Sequence, residues 1–377
     1  MNLSILAVAL ISAFLAYANG ANDISKGIAT LAGSGVSDYR RAILWGTLWT
    51  TCGSVAAFEL SCALAVTFSK GLLAAGANLT FPAAIATLVG ASLWVTIATR
   101  FALPVSTTHA IVGSIAGVMT VAFGLTGMNW SVLAGKVALP LLFSPVASLL
   151  SSFAMLRAWS HISPSGADCL CAEIVSQRPT LATTAAGIEI APLPIPAVDL
   201  VPCHTDETGA GRNPMFSLTI DRLHWITSAA ASFTRGLNDT PKMVAIALAA
   251  ASLGGLWARV SFSVYLLIAL GILAGSLHAG RRVTTVLAER ITRMDHREGF
   301  VANLVTSLLV GPGAFLGLPM SITHVASGAI IGIGAQRGGG IEWQRVKEMT
   351  LAWMVTVPAA ALLGILSYGG LRVIGVR

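Results

Sequence analysis

Two short strings carry the same chemistry at distant places in the chain: "GANDISKG" from Gly20 and "GLNDTPKM" from Gly236. Each sets an asparagine and an aspartate ahead of a lysine, as Asn22, Asp23 and Lys26 and as Asn238, Asp239 and Lys242. On a helix the asparagine and lysine share a face at a spacing of four, and the aspartate reaches the same lysine at a spacing of three. A carboxylate can hold a cation or take a proton, and an amide can donate to an anion or accept from a cation. The plain alternative is a helix cap whose lysine snorkels out of an apolar layer. Duplication of the whole cluster favours a functional pair, because a charge at the centre of a bilayer costs about 2.5–3.5 kcal/mol on insertion scales.

A second pair of strings follows at nearly the same offset: "PVSTTHAIVGSIAG" from Pro104 and "PMSITHVASGAIIG" from Pro319. Proline is tolerated at a helix start, and serine or threonine caps the orphan N–H groups there. Such an N-terminus presents partial positive charge and free donors, which suit an oxyanion. Ser106, Thr107 and Thr108, with Ser321 and Thr323, are therefore candidate ligands, whose hydroxyls could also hold a small cation. Ordinary capping of a kinked helix is the alternative. His109 and His324 end the motifs as structural hydrogen-bonding groups or as proton carriers, and Glu59 is a proton site or a polar contact between helices. Cys169, Cys171, Cys203 and His204 could ligate zinc, on poor spacing. Ser106 with His109, or Ser321 with His324, could serve an intramembrane hydrolase, but an enzyme needs one such set rather than two.

The groups are positioned by apolar helices. Apolar residues make up 55% of the chain and charged residues only 10%, less than half the usual share of about 25%. Uncharged stretches run over 3–17, 42–66 apart from Glu59, 81–99, 104–121 and 137–156, then 243–256, 260–277, 300–310, 319–335 and 349–366. Several reach or approach the roughly 20 residues of a spanning helix. A soluble fold would have to bury all of them from every side, so the expectation is an all-α polytopic membrane protein. No basic region or cleavage site precedes the first stretch, which is expected to stay as a span. The net charge of +7 comes from arginines in short loops, which fits loops against anionic lipid rather than nucleic acid.

Both motifs recur in the same order, and "FSPVASLL" from Phe143 is answered by "TVPAAALL" from Thr356. The chain reads as two homologous halves, 1–158 and 223–377, joined by a polar, largely irregular linker over 159–222. The first half carries Arg40 and Arg41 after its first span and only Lys70 in the next loop. The second half reverses this, with Arg259 alone and then Arg281, Arg282, Arg290, Arg293 and Arg297. Under the positive-inside rule equivalent loops lie on opposite faces, which is an inverted-topology repeat with an odd number of passes per half. About five passes per half place both termini outside and the linker in the cytoplasm. The run 300–310 meets "GPG", which suggests a re-entrant hairpin. In all, the expectation is two inverted repeats with broken helices and re-entrant hairpins, about 10–12 membrane segments.

The four motifs, with "GRRVTTVLAERIT" before the last hairpin, resemble the signatures of the inorganic phosphate transporter (PiT) family. The resemblance covers both halves. It implies a cation-coupled phosphate symporter in a cytoplasmic membrane, often a homodimer, with its site between the repeats. It carries site roles onto Asn22, Asp23, Ser106, Thr107 and Thr108, and onto Asn238, Asp239, Ser321 and Thr323. No cofactor is implied beyond a possible sodium ion at Asn22, Asp23, Asn238 and Asp239. The sequence departs from the family's common GANDVANA at Ser25 and Lys26, and Ile322 replaces a threonine. An ammonium at Lys26 or Lys242 could stand in for sodium, which points toward proton coupling or a related oxyanion such as sulfate.

Overall fold

The computed structural model describes residues 3–162, 169–175, 182–184, 187–189, 197–202, 216–251, 257–289 and 291–376. The first half comprises α1 (Leu3–Asp23), α2 (Ser25–Gly33), α3 (Tyr39–Leu60), α4 (Cys62–Val66), α5 (Phe81–Arg100), α6 (Thr107–Phe123), α7 (Trp130–Val132) and α8 (Leu139–Ile162). The second comprises α9 (Ile220–Ala251), α10 (Trp257–Ala279), α11 (Arg281–Glu289), α12 (His296–Phe315), α13 (Ile322–Arg337) and α14 (Trp343–Val373). Among the described residues six helical runs are long and apolar enough to cross a membrane, and a seventh forms if α3 and the segment after it, bent by 76° at Ser61, count together. The α5 and α12 spans are the most enclosed, while α8 and α14 are among the least. On those outer helices Leu142, Phe143, Leu351 and Met354 are exposed, as lipid-facing side chains are.

The halves are not packed as separate bundles. Extensive helix contacts join α1 to α10 and α9 to α3, and in the same way α8 to α13 and α14 to α6, while α9 also packs broadly on α12 within the second half. Exchanging the halves maps each pair onto the other. Glycine makes these crossings possible by letting backbones meet: a Cβ at Gly20 would lie 2.1 Å from Ile272 O, and one at Gly53 2.0 Å from Phe233 O. The reciprocal glycines, Gly275 against Tyr17 O and Gly236 against Thr50 O, are equally tight.

Two expectations need correction. The chain does not break at the "GPG" run itself: α12 continues through Pro312 to Phe315, and the turn back into α13 comes only after Leu316. Proline is tolerated within a membrane helix where neighbours re-satisfy the freed carbonyl. Against the expectation of a largely irregular linker, its described residues include strands. Its strands β1 (Cys169–Val175), β4 (Ala197–Pro202) and β5 (Phe216–Thr219) form an antiparallel sheet in the order β4-β1-β5, and β2 (Ala182–Thr184) pairs with β3 (Gly187–Glu189). These runs are too short to span a membrane, but their valines and isoleucines favour extended backbone.

Candidate functional site

The first Asn–Asp–Lys motif lies at the junction of two helices, and the second lies in the interior of a long one. The first straddles the irregular turn at Ile24 between α1 and α2, and the second lies inside α9, where Pro241 removes one backbone donor. Lys26 and Lys242 are each 1% exposed, so neither snorkels. Lys26 Nζ donates to Asp23 Oδ1 at 2.6 Å, and to Asn22 Oδ1 and Asn22 O at 2.7 Å each. Lys242 Nζ instead donates across the halves to Thr108 Oγ1 at 2.6 Å, and more loosely to Asp239 Oδ1 at 3.3 Å and Met320 O at 3.4 Å.

The half-helix motifs supply the facing wall. Ser106 and Ser321 are the N-caps of α6 and α13, accepting from His109 N and His324 N, while each hydroxyl proton stays available to donate. Pro104 and Pro319 precede these caps by two residues, outside the first helical turn where they were expected. Thr107 Oγ1 donates to Asp23 Oδ2 at 2.8 Å, and Thr323 Oγ1 donates to Val105 O at 2.8 Å, tying the two helix starts together. Asn22 Nδ2 donates to Thr99 Oγ1 and Leu103 O, and Asn238 exchanges hydrogen bonds with the backbone of Met320. The asparagines, aspartates, lysines, serines and threonines singled out in the four motifs are thus all buried and lie in one cluster.

Two members were not singled out from the sequence. Asn19 Nδ2 donates to Asp23 Oδ2 at 2.7 Å and to Asp239 Oδ2 at 3.1 Å, and so bridges the carboxylates of the two halves. Among the described residues Arg235, 1% exposed, donates to neutral oxygens alone: Thr50 Oγ1, Asn19 O and Asn19 Oδ1, at 3.2–3.4 Å. Its Nε has no partner among the described residues. Three buried cations therefore face two buried carboxylates, an excess of one positive charge. Burying an ion costs several kcal/mol unless an opposite charge and hydrogen bonds compensate it, so a cluster with this excess favours an anion. Asn19 and Arg235 hold equivalent places in the two halves, three residues before Asn22 and Asn238. That spacing, with a lone arginine in an apolar run, was the available signal.

The remaining candidates fall outside the cluster or at its edge. His109 and His324 have ring centroids 4.5 Å apart, and His324 also packs on Trp353 at 4.1 Å. Glu59 is exposed near the end of α3, away from these contacts. The side chains of Cys169, Cys171, Cys203 and His204 lie outside the described residues.

A family model described as the phosphate transporter family matches residues 19–364. A protein of Pyrococcus abyssi that carries the name phosphate permease is 27% identical over 394 residues, spanning 96% of each chain. The inorganic phosphate transporter 2-1 of Arabidopsis thaliana chloroplasts is 26% identical over 419 residues, 96% of this chain and 71% of its own. Among solved structures, a sodium-dependent phosphate transporter superposes with a TM-score of 0.77 at 24% identity, covering 99% of this chain and 100% of its own, a likeness of fold. These relatives are transporters and not enzymes, so the hydrolase alternative falls. With its apolar spans, the chain is a multi-pass membrane protein, and it belongs to the phosphate transporter family.

Proposed function

We propose that this chain imports inorganic phosphate across a cytoplasmic membrane as a secondary active symporter working by alternating access. The carrying observation is Arg235, a buried guanidinium with neutral partners and a free Nε, placed against the Asn19 bridge between the two aspartates. The anion is bound by Arg235 with Ser106, Ser321 and Thr108 as donors, joined by Asn22, Asn238 and Thr323 when they release Thr99, Met320 and Val105, and Asp23 and Asp239 take the coupling charge with Thr107. The grip on Lys26 supports its reading as a built-in cation: three oxygens converge on its Nζ at 2.6–2.7 Å. A proton then serves as the coupling ion in place of sodium. Phosphate near neutral pH can also donate a proton to a carboxylate, whereas sulfate can only accept. The measurement is uptake of labelled phosphate into proteoliposomes, driven by a pH gradient alone and by a sodium gradient alone, with sulfate as competitor. Sulfate uptake with no phosphate flux would overturn the reading.

The reciprocal packing and the opposed loop charges support inverted repeats, with the linker cytoplasmic and both termini outside. The family resemblance supports a homodimer. Single cysteines at Ser165, Thr292 and Arg377, in a Cys-free background, test the topology with an impermeant thiol reagent. Labelling of the linker and the carboxyl terminus from one face would exclude an odd number of passes.

A further inference from the structure

Beside the buried cluster, a chamber of about 660 Å³ opens to the surface between α1, α5, α10 and α11. Arg100, Arg281 and Arg282 line it, all exposed, and no carboxylate is among its lining residues. Arg281 also leans over the ring of Tyr39, with its guanidinium carbon 5.7 Å from the centroid. At about 30 Å³ for each water, the chamber has room for an anion with its hydration shell. A cleft lined by one sign of charge concentrates the opposite ion, and guanidinium forks match phosphate oxygens.

Its inner wall is also the wall of the cluster. Thr99 lines the chamber, and Thr99 Oγ1 accepts from Asn22 Nδ2 at 2.9 Å. Ala18 and Ala21, flanking residues on α1, complete that side with small side chains. The Asn22–Thr99 contact therefore separates three solvated arginines from the buried Asp–Lys–Arg cluster. On the loop charges, Arg281 and Arg282 belong to the cytoplasmic side.

We propose that the chamber is a second, weaker site for a phosphate group, an antechamber in which the anion pauses between the cytoplasm and the buried cluster, with Asn22 and Thr99 as the partition. The proposal rests on the phosphate-transport reading above. The same arginines could take the phosphate of an anionic lipid headgroup; the shared wall with the cluster favours the free ion. It differs from the buried site in kind, since it holds a hydrated anion by charge and selects little.

The test uses the full chain in nanodiscs of phosphatidylcholine, treated with the arginine reagent phenylglyoxal and read by peptide mass spectrometry. Phosphate should slow modification of Arg100, Arg281 and Arg282, and potassium chloride at equal ionic strength should not. In membrane vesicles, R100Q/R281Q/R282Q should raise the half-saturating phosphate concentration about tenfold from the chamber face and leave the opposite face unchanged. R100K/R281K/R282K, which keeps the charge, should restore it. Wild-type phosphate flux with no protection, and wild-type affinity in the glutamine variant from both faces, would overturn the antechamber while leaving the transport reading intact. Protection by phosphatidylglycerol but not by free phosphate would also overturn it, and assign the chamber to lipid. Absence of phosphate flux in the wild type would overturn the transport reading, and this proposal with it.

Discussion

Asp23 and Asp239 hold equivalent places in the two halves but have unequal surroundings. Asp23 accepts from Lys26, Asn19 and Thr107 at 2.6–2.8 Å. Asp239 accepts from Asn238, Asn19 and Lys242 at 3.0–3.3 Å. One cause is visible in the sequence. Thr107 has Ile322 as its counterpart, which offers no hydroxyl, and Lys242 is drawn away to Thr108. The other is the exchange of Asn19 for Arg235, which adds the unpaired cation to the second half alone. The first half grips its carboxylate tightly, and the second holds the looser carboxylate and a guanidinium whose Nε has no partner among the described residues.

The largest expected effect comes from the aspartates. Asp23→Asn and Asp239→Asn should each abolish concentrative uptake, because an amide can neither take a proton nor neutralise a cation. Their stabilities should differ. Removing one partner of a buried ion pair costs about 3–5 kcal/mol, and Asp23→Asn should approach that range while Asp239→Asn falls well short of it. Unfolding of both variants in detergent checks the difference. Equal losses would erase the division between the halves.

Next in size is Arg235→Gln, which should weaken half-saturation by phosphate about a hundredfold, or about 2.8 kcal/mol. Arg235→Lys, which keeps the charge but loses the fork, should fall between it and the wild type. Uptake kinetics in proteoliposomes decide this, and wild-type affinity in Arg235→Gln would remove the guanidinium from the anion site. Lys26→Asn should leave uptake measurable but make it depend on sodium, tested with each gradient alone. If wild-type uptake already requires sodium and the substitution changes nothing, the ammonium does not replace that ion.

The smallest effect is expected from Ile322→Thr, which gives the second half the hydroxyl that Thr107 supplies in the first. Losing a buried aliphatic group from the cluster with Val310 and Val325 should cost about 1 kcal/mol in unfolding. Uptake should persist within a few-fold. A collapse of transport as deep as that of Arg235→Gln would mean the apolar group at this position is itself required.

Much of the site was legible because its residues come in strings. An aspartate and a lysine three apart can meet on any helix, and a serine before Thr-His caps any helix start, so local spacing carried Asp23, Lys26, Ser106 and their counterparts. Arg235 and Asn19 escaped because each lies just outside its string, one helical turn before the asparagine, and has no motif of its own. The sequence pattern also overstated one break, at Pro312, and missed the strands of the linker, whose short apolar runs resemble loops. The pairing of α1 with α10 and α9 with α3 is long-range, and no local spacing encodes it.

That pairing has a mechanical consequence. Gly20 and Gly275 lock α1 to α10 backbone against backbone, and Gly53 and Gly236 lock α3 to α9. Gly113 and Gly328 repeat the contact at Val357 O on α14 and Pro145 O on α8. Each of these seams joins one helix from either half, with no side chain between them to act as a bearing. A transporter that rocked one half against the other would have to shear all of them at once. The closely locked units are helix couples drawn from both halves, so the midpoint of the sequence is not a boundary between packed units.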